Sequence, residues 1–349
     1  MKFIPFLLLI SLLLSACGDS SDQTRQATFY AFGTEIDVSL YGVDEDAAEQ
    51  TVSALEGAFD NVNNTWHAWQ PSTLTRINEA IAQDQSISVE PEVAAVIEEA
   101  ALYARQSKDL FNPAAGELFA LWGFLQDNWF ESHPPPSKEK IQAWLASAPS
   151  MSDIHISDDL VLTSDNTHVR LGFGGFAKGT AIDTAINALK QQGINNAVIN
   201  IGGDLRAIGR HGDRPWRIGI RHPRQENTML ATIELSDDES VFSSGDYERF
   251  FTYEGKRYPH ILDPRSGYPA RDTISATVLD TSAARADASA TAMIVAGNDW
   301  PEIAASLGIN HVMIVRADGQ IEMTPEMQEH VILTDKTIKP VIRQVTLTE

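Results

Sequence analysis

The sequence predicts an α+β fold, with mixed or antiparallel sheets and packed helices, in a chain long enough for one large domain or two small ones. Segments of helical and strand periodicity alternate irregularly along the chain, which favours this class over a regular doubly wound sheet. The 349 residues are 43% hydrophobic and 21% charged, the balance of a globular protein that can form a sizeable core. The sequence contains no internal repeat and no low-complexity run.

The N-terminus is typical of an export signal. Lys2 precedes an apolar run at residues 3–14, which has signal-peptide length and is too short to span a membrane. Leu14-Ser15-Ala16-Cys17 then matches a bacterial lipobox, and Cys17 is the only cysteine. The sequence therefore predicts lipidation of Cys17, with a simple signal peptide and an incidental cysteine as the alternative.

These features divide the chain into four segments. Residues 1–16 are predicted to form the signal peptide, and the polar residues 17–27 a lipid-anchored tether. The folded domain is expected at residues 28–335 and a C-terminal tail at residues 336–349.

The charge balance argues against one class of partner. The chain has 48 acidic and 26 basic residues, a formal net charge of −22. Because no basic cluster could neutralise a phosphate backbone, a nucleic-acid partner is not expected. An acidic surface also repels anions, so a phosphate site would need a lysine, a metal ion or backbone amides close by.

The first half of the chain is predicted to be mainly helical. A strand is expected at residues 28–40, broken at Phe32-Gly33-Thr34. Apolar residues recur at helical spacing over 46–62, and Ser72 can cap a short helix that ends near Asn78. Further helical segments are predicted at 91–107, at 114–124 and, capped by Ser137, at 138–145.

The centre of the chain is rich in glycine. A strand predicted at His168–Leu171 leads into the loop Gly172–Gly179, and a helix is predicted at 180–191. The N–H groups of such a loop can hold a phosphate at a helix N-terminus, where Lys178 adds charge. The spacing matches neither the dinucleotide fingerprint nor a Walker P-loop, so a plain glycine loop is the alternative.

The second half is predicted to supply most strands. A Ser-Ser-Gly-Asp loop at 243–246 precedes two β-prone runs at 250–253 and 256–262, which flank a hairpin turn. His260 lies at a strand end beside a turn; an ordinary hairpin with polar surface residues is the alternative. Other strands are predicted at 197–201, 205–208, 216–220, 231–235, 274–280, 311–316 and 320–323.

A late helix is predicted at residues 282–296. Asp287 and Thr291 are four residues apart and share one helical face. Their oxygens are hard ligands of the kind that Mg²⁺ prefers. The alternative is that the two residues lie on a solvated face.

Eight stretches resemble, in order, the FAD:protein FMN transferase (ApbE) family, over about residues 28–335. They are Phe32-Gly33-Thr34, Ser72-x-Leu74-x-Arg76-Ile77-Asn78, Leu121-Trp122-Gly123-Phe124, Gly174–Gly179, Asn200–Arg206, Ser244–Tyr247, His260–Pro269, and Ala286-Asp287-Ala288 with Thr291. The family often has F-D-P-T-V-G where this chain has Phe111–Gly116, and some members carry an acid at the position of Ala290.

The resemblance implies a single large domain of two αβ lobes, and it also implies an activity. The protein would bind FAD and Mg²⁺, transfer the FMN half to a Thr or Ser hydroxyl of an acceptor protein, and release AMP. It would be anchored by lipid at the periplasmic side of the inner membrane. The alternatives are an FAD pyrophosphatase, which gives FMN and AMP, and a non-catalytic flavin-binding lipoprotein.

The resemblance also implies roles for single residues. Asp287, also expected to be catalytic, would bind Mg²⁺ with Thr291 and the Gly175 carbonyl. His260 is the candidate general base, since an imidazole suits proton transfer near neutrality. Asp263 would orient its ring or serve the turn alone. Residues expected to contact the cofactor are Phe32, Trp69, Ala114, Ala115, Gly116, Gly172, Lys178 and Leu262.

Overall fold

A nine-stranded sheet lies at the centre of the protein, whose computed structural model describes residues 23–235 and 237–347. The described strands are, in chain order, β1 (Thr24–Ala31), β2 (Thr34–Tyr41), β3 (Ile87–Ser88), β4 (Ile154–Ile156), β5 (Val161–Ser164), β6 (Ala197–Ile201), β7 (Asp204–Ile208), β8 (Trp216–Arg221), β9 (Met229–Leu235), β10 (Glu239–Gly245), β11 (Phe250–Tyr253), β12 (Lys256–Pro259), β13 (Leu262–Asp263), β14 (Tyr268–Pro269), β15 (Thr273–Asp280), β16 (Val312–Arg316), β17 (Ile321–Met323), β18 (Val331–Leu333) and β19 (Val341–Ile342).

The central sheet has the strand order β1-β2-β6-β7-β10-β15-β16-β17-β19. Its pairs are antiparallel except for β17 with β19, which run parallel. Four smaller sheets accompany it: β11-β12, β13-β14, β18-β9-β8 and β3-β5-β4.

Helices cover one face of the central sheet. The described α-helices are α1 (Glu45–Trp66), α2 (Thr73–Ala82), α3 (Pro91–Gln106), α4 (Gly116–Leu121), α5 (Lys138–Ser147), α6 (Ala177–Gln191), α7 (Ala283–Ala296), α8 (Trp300–Leu307) and α9 (Pro325–His330). α6 packs on β6 and β7, α7 packs on β10 and β15, and the two helices contact each other. Ser72 caps α2 through a capping box, and Ser137 caps α5, as the sequence predicted.

Strand periodicity builds two cores on opposite faces of the sheet. Successive residues of a strand point to opposite faces. Ile199 and Phe242 therefore join the core beneath the helices, while their neighbours Val198 and Val241 join a second core against β8 and β9. A third, aromatic core lies apart, around Trp122. It joins α4 and α5 to the β11-β12 hairpin. The α+β prediction is confirmed.

The structure corrects several predicted boundaries. His168–Leu171 is not a strand: its one bridge pairs Arg170 with Ala115. Ser243–Gly245 is the end of β10 rather than a loop, because its residues pair with β15. α2 continues beyond Asn78 to Ala82. β12 stops at Pro259, so His260 lies between two short strands.

The ends of the folded part also differ from the predicted division. β1 begins at Thr24, inside the segment predicted as tether, and β19 lies inside the predicted tail. The predicted signal peptide and Cys17 lie outside the described residues. Within 23–235 and 237–347, no helix combines the length and the apolar character needed to cross a membrane.

Candidate active site at the crossing of two helices

α6 and α7 approach each other closely at Gly179. A Cβ atom at Gly179 would lie 2.4 Å from the carbonyl oxygen of Ala283, so any other residue would push the helices apart. Each helix sends a carboxylate to the other at this crossing. Asp287 of α7 accepts a hydrogen bond from the Gly179 N–H, and Asp183 of α6 accepts from the N–H groups of Ala283 and Ala284. The donors in both cases are helix N-terminal N–H groups that lack an intrahelical acceptor.

Of the acids at the crossing, Asp287 has the fewest hydrogen-bond donors. Its residue is 4% exposed, and the Gly179 N–H, at 3.1 Å, is its one hydrogen-bond donor among the described residues. Burial raises the pKa of Asp287 to about 7, although the charge of Lys178 opposes the shift. A carboxylate buried in this way favours any cation that can enter beside it.

Thr291 lies one turn further along α7, beside the glycine loop. A side chain at Gly175 would come within 3.1 Å of Thr291 Oγ1, so the backbone of Gly175 rests against this hydroxyl. Ser244 Oγ, on β10, is 3.3 Å from the same Oγ1 atom. Three distant segments thus meet at the face of α7 that carries Asp287 and Thr291.

Lys178 belongs to the same neighbourhood. Its ammonium group forms an ion pair with Asp204, whose other oxygen accepts the Ser243 N–H at 2.9 Å. The negative charges of Asp204 and Asp287 raise the pKa of Lys178, although burial is the largest influence and acts in the opposite direction. Asp204 therefore ties the lysine of the glycine loop to the strand that carries Ser244.

The burial and the contacts of His260 favour a neutral imidazole. Its backbone N–H and its Nδ1 atom lie 3.0 and 3.1 Å from the Arg249 carbonyl oxygen. Since a carbonyl only accepts, Nδ1 carries the hydrogen and Nε2 keeps a free lone pair. Burial, with the charges of Arg249 and Lys178, lowers the pKa of His260 to about 3. A pKa this low keeps the ring unprotonated across the neutral range but makes it a weak base, so a bound anion would have to raise the pKa before the ring takes a proton.

The suggestion that Asp263 orients His260 is wrong. Its carboxylate instead receives the Arg265 N–H and pairs with the Arg265 guanidinium, and its carbonyl accepts the Gly267 N–H. Asp263 serves the turn, the second role that the sequence left open. The carbonyl of Arg249 and the Phe124 ring, 6.2 Å from the imidazole centre, hold His260 in place.

The predicted aromatic contacts occupy different places. Phe32 packs edge-on against Phe59 of α1, in a turn where it adopts a positive φ of 54°. Trp69 donates from Nε1 to Asp127 at 2.9 Å and borders a cavity of about 670 Å³. The residues lining that cavity all come from 64–79, so it is separate from the Asp287 neighbourhood.

The loop before α4 is bound tightly to the start of the glycine-rich stretch. Gly116 donates to Arg170, Arg170 donates to Ala114, and Gly172 donates to Pro113. The N–H groups of Ala114 and Ala115 are taken by Asn112. A cofactor contact from this loop would therefore need atoms other than these N–H groups. Leu262 is buried in β13, paired with Pro269.

The matching family model is that of the ApbE family, which covers residues 32–313. The chain belongs to the ApbE family. It is 40% identical to an FAD:protein FMN transferase of Rhodobacter capsulatus over 86% of its own length, and spans 57% of that longer protein. It is 28% identical to a protein of the same name from Vibrio cholerae, over 88% of this chain and 92% of the relative.

A solved structure supports the same assignment. The ApbE protein of Thermotoga maritima matches with a TM-score of 0.80 and 31% identity, over 88% of this chain and 99% of the other. The sequence-based identification of the ApbE family is confirmed, and so is the fold that it implied.

The donor set of this ApbE chain suits a hard cation. The described residues contain no group of three or more His, Cys, Asp or Glu side chains that could hold a metal. A carboxylate, a hydroxyl and a main-chain carbonyl are instead available from Asp287, Thr291 and Gly175. All three are oxygen donors of the type that Mg²⁺ binds, and the Asp287 carboxylate can accept further bonds.

Sequence reasoning missed three residues of this neighbourhood as site residues. Asp204 and Ser244 lie within motifs that carry the family resemblance, yet only the structure shows their contacts to Lys178 and Thr291. Arg249 was missed because its main chain, rather than its side chain, orients His260. An acid that directly follows a glycine turn, as Asp204 does, was the one usable signal.

Proposed function

We propose that the protein is an FAD:protein FMN transferase that uses FAD and Mg²⁺ and modifies a Thr or Ser hydroxyl of an acceptor protein, with release of AMP. The observation that carries the proposal is the position of Asp287, which is buried with a single hydrogen-bond donor among the described residues, one helical turn from the Thr291 hydroxyl that lies beside the Gly175 backbone. A helix N-terminus favours anions, and a cation held by Asp287 would favour them further. Such a place suits the pyrophosphate of a dinucleotide.

In this proposal Asp287, Thr291 and the Gly175 carbonyl hold the Mg²⁺ ion. When bound, the ion supplies charge neutralisation for the phosphate oxygens. Lys178 contributes a positive charge that Asp204 fixes in position. These residues bind and orient the pyrophosphate, and no covalent bond to the protein is required.

His260 receives the proton in the transfer step. The acceptor hydroxyl oxygen forms a bond to the phosphorus of the FMN half, and the bond from that phosphorus to the bridging oxygen breaks. The hydroxyl proton passes to Nε2, and AMP leaves with the electron pair of the broken bond. The hydrogen bond from Nδ1 to Arg249 holds the ring in the tautomer that this step needs.

The test combines the soluble domain with FAD, Mg²⁺ and a co-expressed acceptor protein from the same compartment. We expect covalent flavin on the acceptor by in-gel fluorescence, together with one AMP per flavin attached. His260→Gln should lower kcat by about 10²–10⁴-fold and leave FAD affinity nearly unchanged. The control is His155→Gln, since His155 pairs with Asp165 on an exposed hairpin.

Two results would contradict the proposal. AMP release with no flavin on any acceptor would indicate the pyrophosphatase. FAD binding without AMP release would indicate a flavin-binding lipoprotein.

We also propose that Cys17 carries the lipid anchor and that the enzyme acts at the periplasmic side of the inner membrane. The lipobox at Leu14-Ser15-Ala16-Cys17 supports this. Cys17→Ser should release the protein from the membrane fraction, and mass spectrometry of the N-terminal peptide should show acyl chains only with the cysteine. An unmodified, membrane-free wild-type protein would contradict the anchor.

A further inference from the structure

Arg249 lies where the backbone leaves β10 and enters β11. Its carbonyl oxygen holds both the N–H and the Nδ1 of His260. Its guanidinium points elsewhere: Nη2 is 4.0 Å from the position that a Cβ of Gly33 would occupy. The side chain therefore lies between His260 and the Phe32-Gly33 turn.

The Arg249 guanidinium has no anionic partner in the described part of the chain. Among residues 23–235 and 237–347, no carboxylate lies within ion-pair distance of it and no acceptor receives its N–H groups. The adjacent acid, Glu248, pairs with Arg221 at 3.6 Å. The guanidinium instead lies near the ring of Trp129, whose centre is 5.7 Å from the guanidinium carbon.

Several arginines of the described residues lack an ion pair, but most of them are exposed, whereas Arg249 is half-buried. Acidic residues outnumber basic ones by 48 to 26, so a partner was abundantly available. Burial lowers the pKa of Arg249, which reflects the cost of removing the cation from water. A half-buried cation without a counter-charge destabilises a fold unless a ligand supplies one.

Lys178 provides the contrast. Both cations act electrostatically on His260, but Lys178 is paired with Asp204 and Arg249 is not. Arg249 therefore has no ion-pair partner among the described residues, although the charge of the adjacent Glu248 acts on it without direct pairing. A guanidinium also offers a planar fork of donors that matches two phosphate oxygens, which an ammonium does not.

We propose that the Arg249 side chain is an anion-binding residue of the active site, and that it donates to phosphoryl oxygens of the bound dinucleotide next to His260. The proposal rests on the proposed function for the identity of the dinucleotide. The anion site itself rests only on the unpaired guanidinium and its position. Arg249 would thus stabilise the charge of the phosphoryl group that the acceptor hydroxyl attacks.

The experiment compares Arg249→Met and Arg249→Lys with Arg217→Met. Arg217 is a matched control because it is exposed and pairs with Glu234 on β8-β9. The first measurement is thermal unfolding of the ligand-free proteins with and without inorganic pyrophosphate. We expect pyrophosphate to raise the Tm of the wild type and of Arg217→Met, and to have little effect on Arg249→Met.

The second measurement is steady-state flavin transfer. Arg249→Met should lose about 10- to 100-fold in kcat/KM for FAD, the range of one lost hydrogen bond to a charged group. Arg249→Lys should recover only part of the loss, since it restores the charge without the fork. Without ligand, the Tm of Arg249→Met should equal or exceed that of the wild type.

The outcomes separate this proposal from the proposed function. A wild type that transfers no flavin, yet shows an Arg249-dependent pyrophosphate shift, would keep the anion site and overturn the enzyme assignment. Equal kinetics and equal pyrophosphate shifts in Arg249→Met and Arg217→Met would overturn the anion site. A lowered Tm of ligand-free Arg249→Met, together with unchanged kinetics of the folded protein, would also overturn the anion site. Should Arg249→Met fail to fold, the same readouts apply to Arg249→Lys.

Discussion

Asp183 and Asp287 lie on two crossing helices, and each reaches the N-terminus of the other helix. Asp183 receives the N–H groups of Ala283 and Ala284 and the Ser282 hydroxyl, and it pairs with Arg206. Asp287 receives a single N–H, from Gly179, within the described residues. Asp183 thus has several hydrogen-bond donors, whereas Asp287, also an aspartate, has one.

The difference distinguishes a carboxylate whose acceptor positions are used within the fold from one that can still accept bonds from a ligand. A carboxylate with many donors stabilises the fold and has no capacity left for a ligand. A buried carboxylate with one donor costs stability, so its presence is better explained by binding. We therefore expect substitutions of Asp183 and of Asp287 to have opposite effects: the first should mainly lower stability, and the second should mainly lower activity.

The largest effect is expected for the activity of Asp287→Asn. Flavin transfer should fall by about 10³-fold, because the proposed metal ligand, worth several kcal/mol, is removed. The Tm of the metal-free protein should stay equal or rise, since a buried charge disappears. AMP release and thermal unfolding measure the two quantities. A variant that keeps normal activity would end the assignment of Asp287 to the metal site.

The stability of Asp183→Ala should change next most. We expect the free energy of unfolding to fall by about 3 kcal/mol, because two helix N–H groups and one arginine contact lose their acceptor. Urea denaturation measures the loss, and Asp60→Ala on the exposed side of α1 is the control. Activity per folded molecule should change little. A stable but inactive variant would reverse the roles given to the two acids.

Gly179→Ala tests the crossing on which both acids depend. The new methyl group would overlap the Ala283 carbonyl, which is backbone and cannot move aside cheaply. We expect a loss of about 1–3 kcal/mol in the free energy of unfolding, together with lower activity. Gly174→Ala is the matched control, since a Cβ there meets no atom within 4 Å. Equal behaviour of the two variants would contradict the close approach.

The smallest expected effect is the change in the free energy of unfolding over one pH unit, which comes from the titration of Asp287. The pKa of Asp287 is raised to about 7 by burial, against an ordinary value of 3.8. The folded chain then holds a proton that the unfolded chain has lost, so this stabilisation is complete below the unfolded pKa and disappears as the pH rises through about 7. One group contributes at most about 1.4 kcal/mol per pH unit.

The measurement compares wild type with Asp287→Asn in a chelating buffer. The free energy of unfolding of the wild type should fall relative to that of Asp287→Asn between pH 4 and pH 7. The difference should then level off. Parallel pH profiles would show that Asp287 titrates normally.

Most of the secondary structure followed from local signals. Helical spacing and caps placed α1, α2, α5 and α7 within a few residues, because caps act through neighbouring backbone groups. The errors came where pairing partners are distant. Residues 168–171 look like a strand but pair with a loop, and residues 243–245 look like a loop but complete β10.

The candidate site was predictable only in part. Residue type and spacing, together with the family resemblance, named Asp287, Thr291 and the glycine loop as candidates, and the place of His260 beside a turn named that residue. The ion pair of Lys178 with Asp204, and the Arg249 carbonyl that orients His260, were not found. Contacts between segments that are far apart in the sequence produce no recognisable spacing of residues.

The amino-acid sequence determined the α+β class, the positions of most helices and strands, the ApbE membership and the residue types able to bind a metal. Helix periodicity, caps and short motifs are local, so one sequence suffices to find them. Tertiary structure alone decided which of two acids on α6 and α7 has most of its acceptor positions used, which carbonyl fixes the tautomer of His260, and that Arg249 has no ion-pair partner among the described residues. Those properties depend on how many donors and acceptors other segments bring to each atom, and that number exists only once the chain is folded.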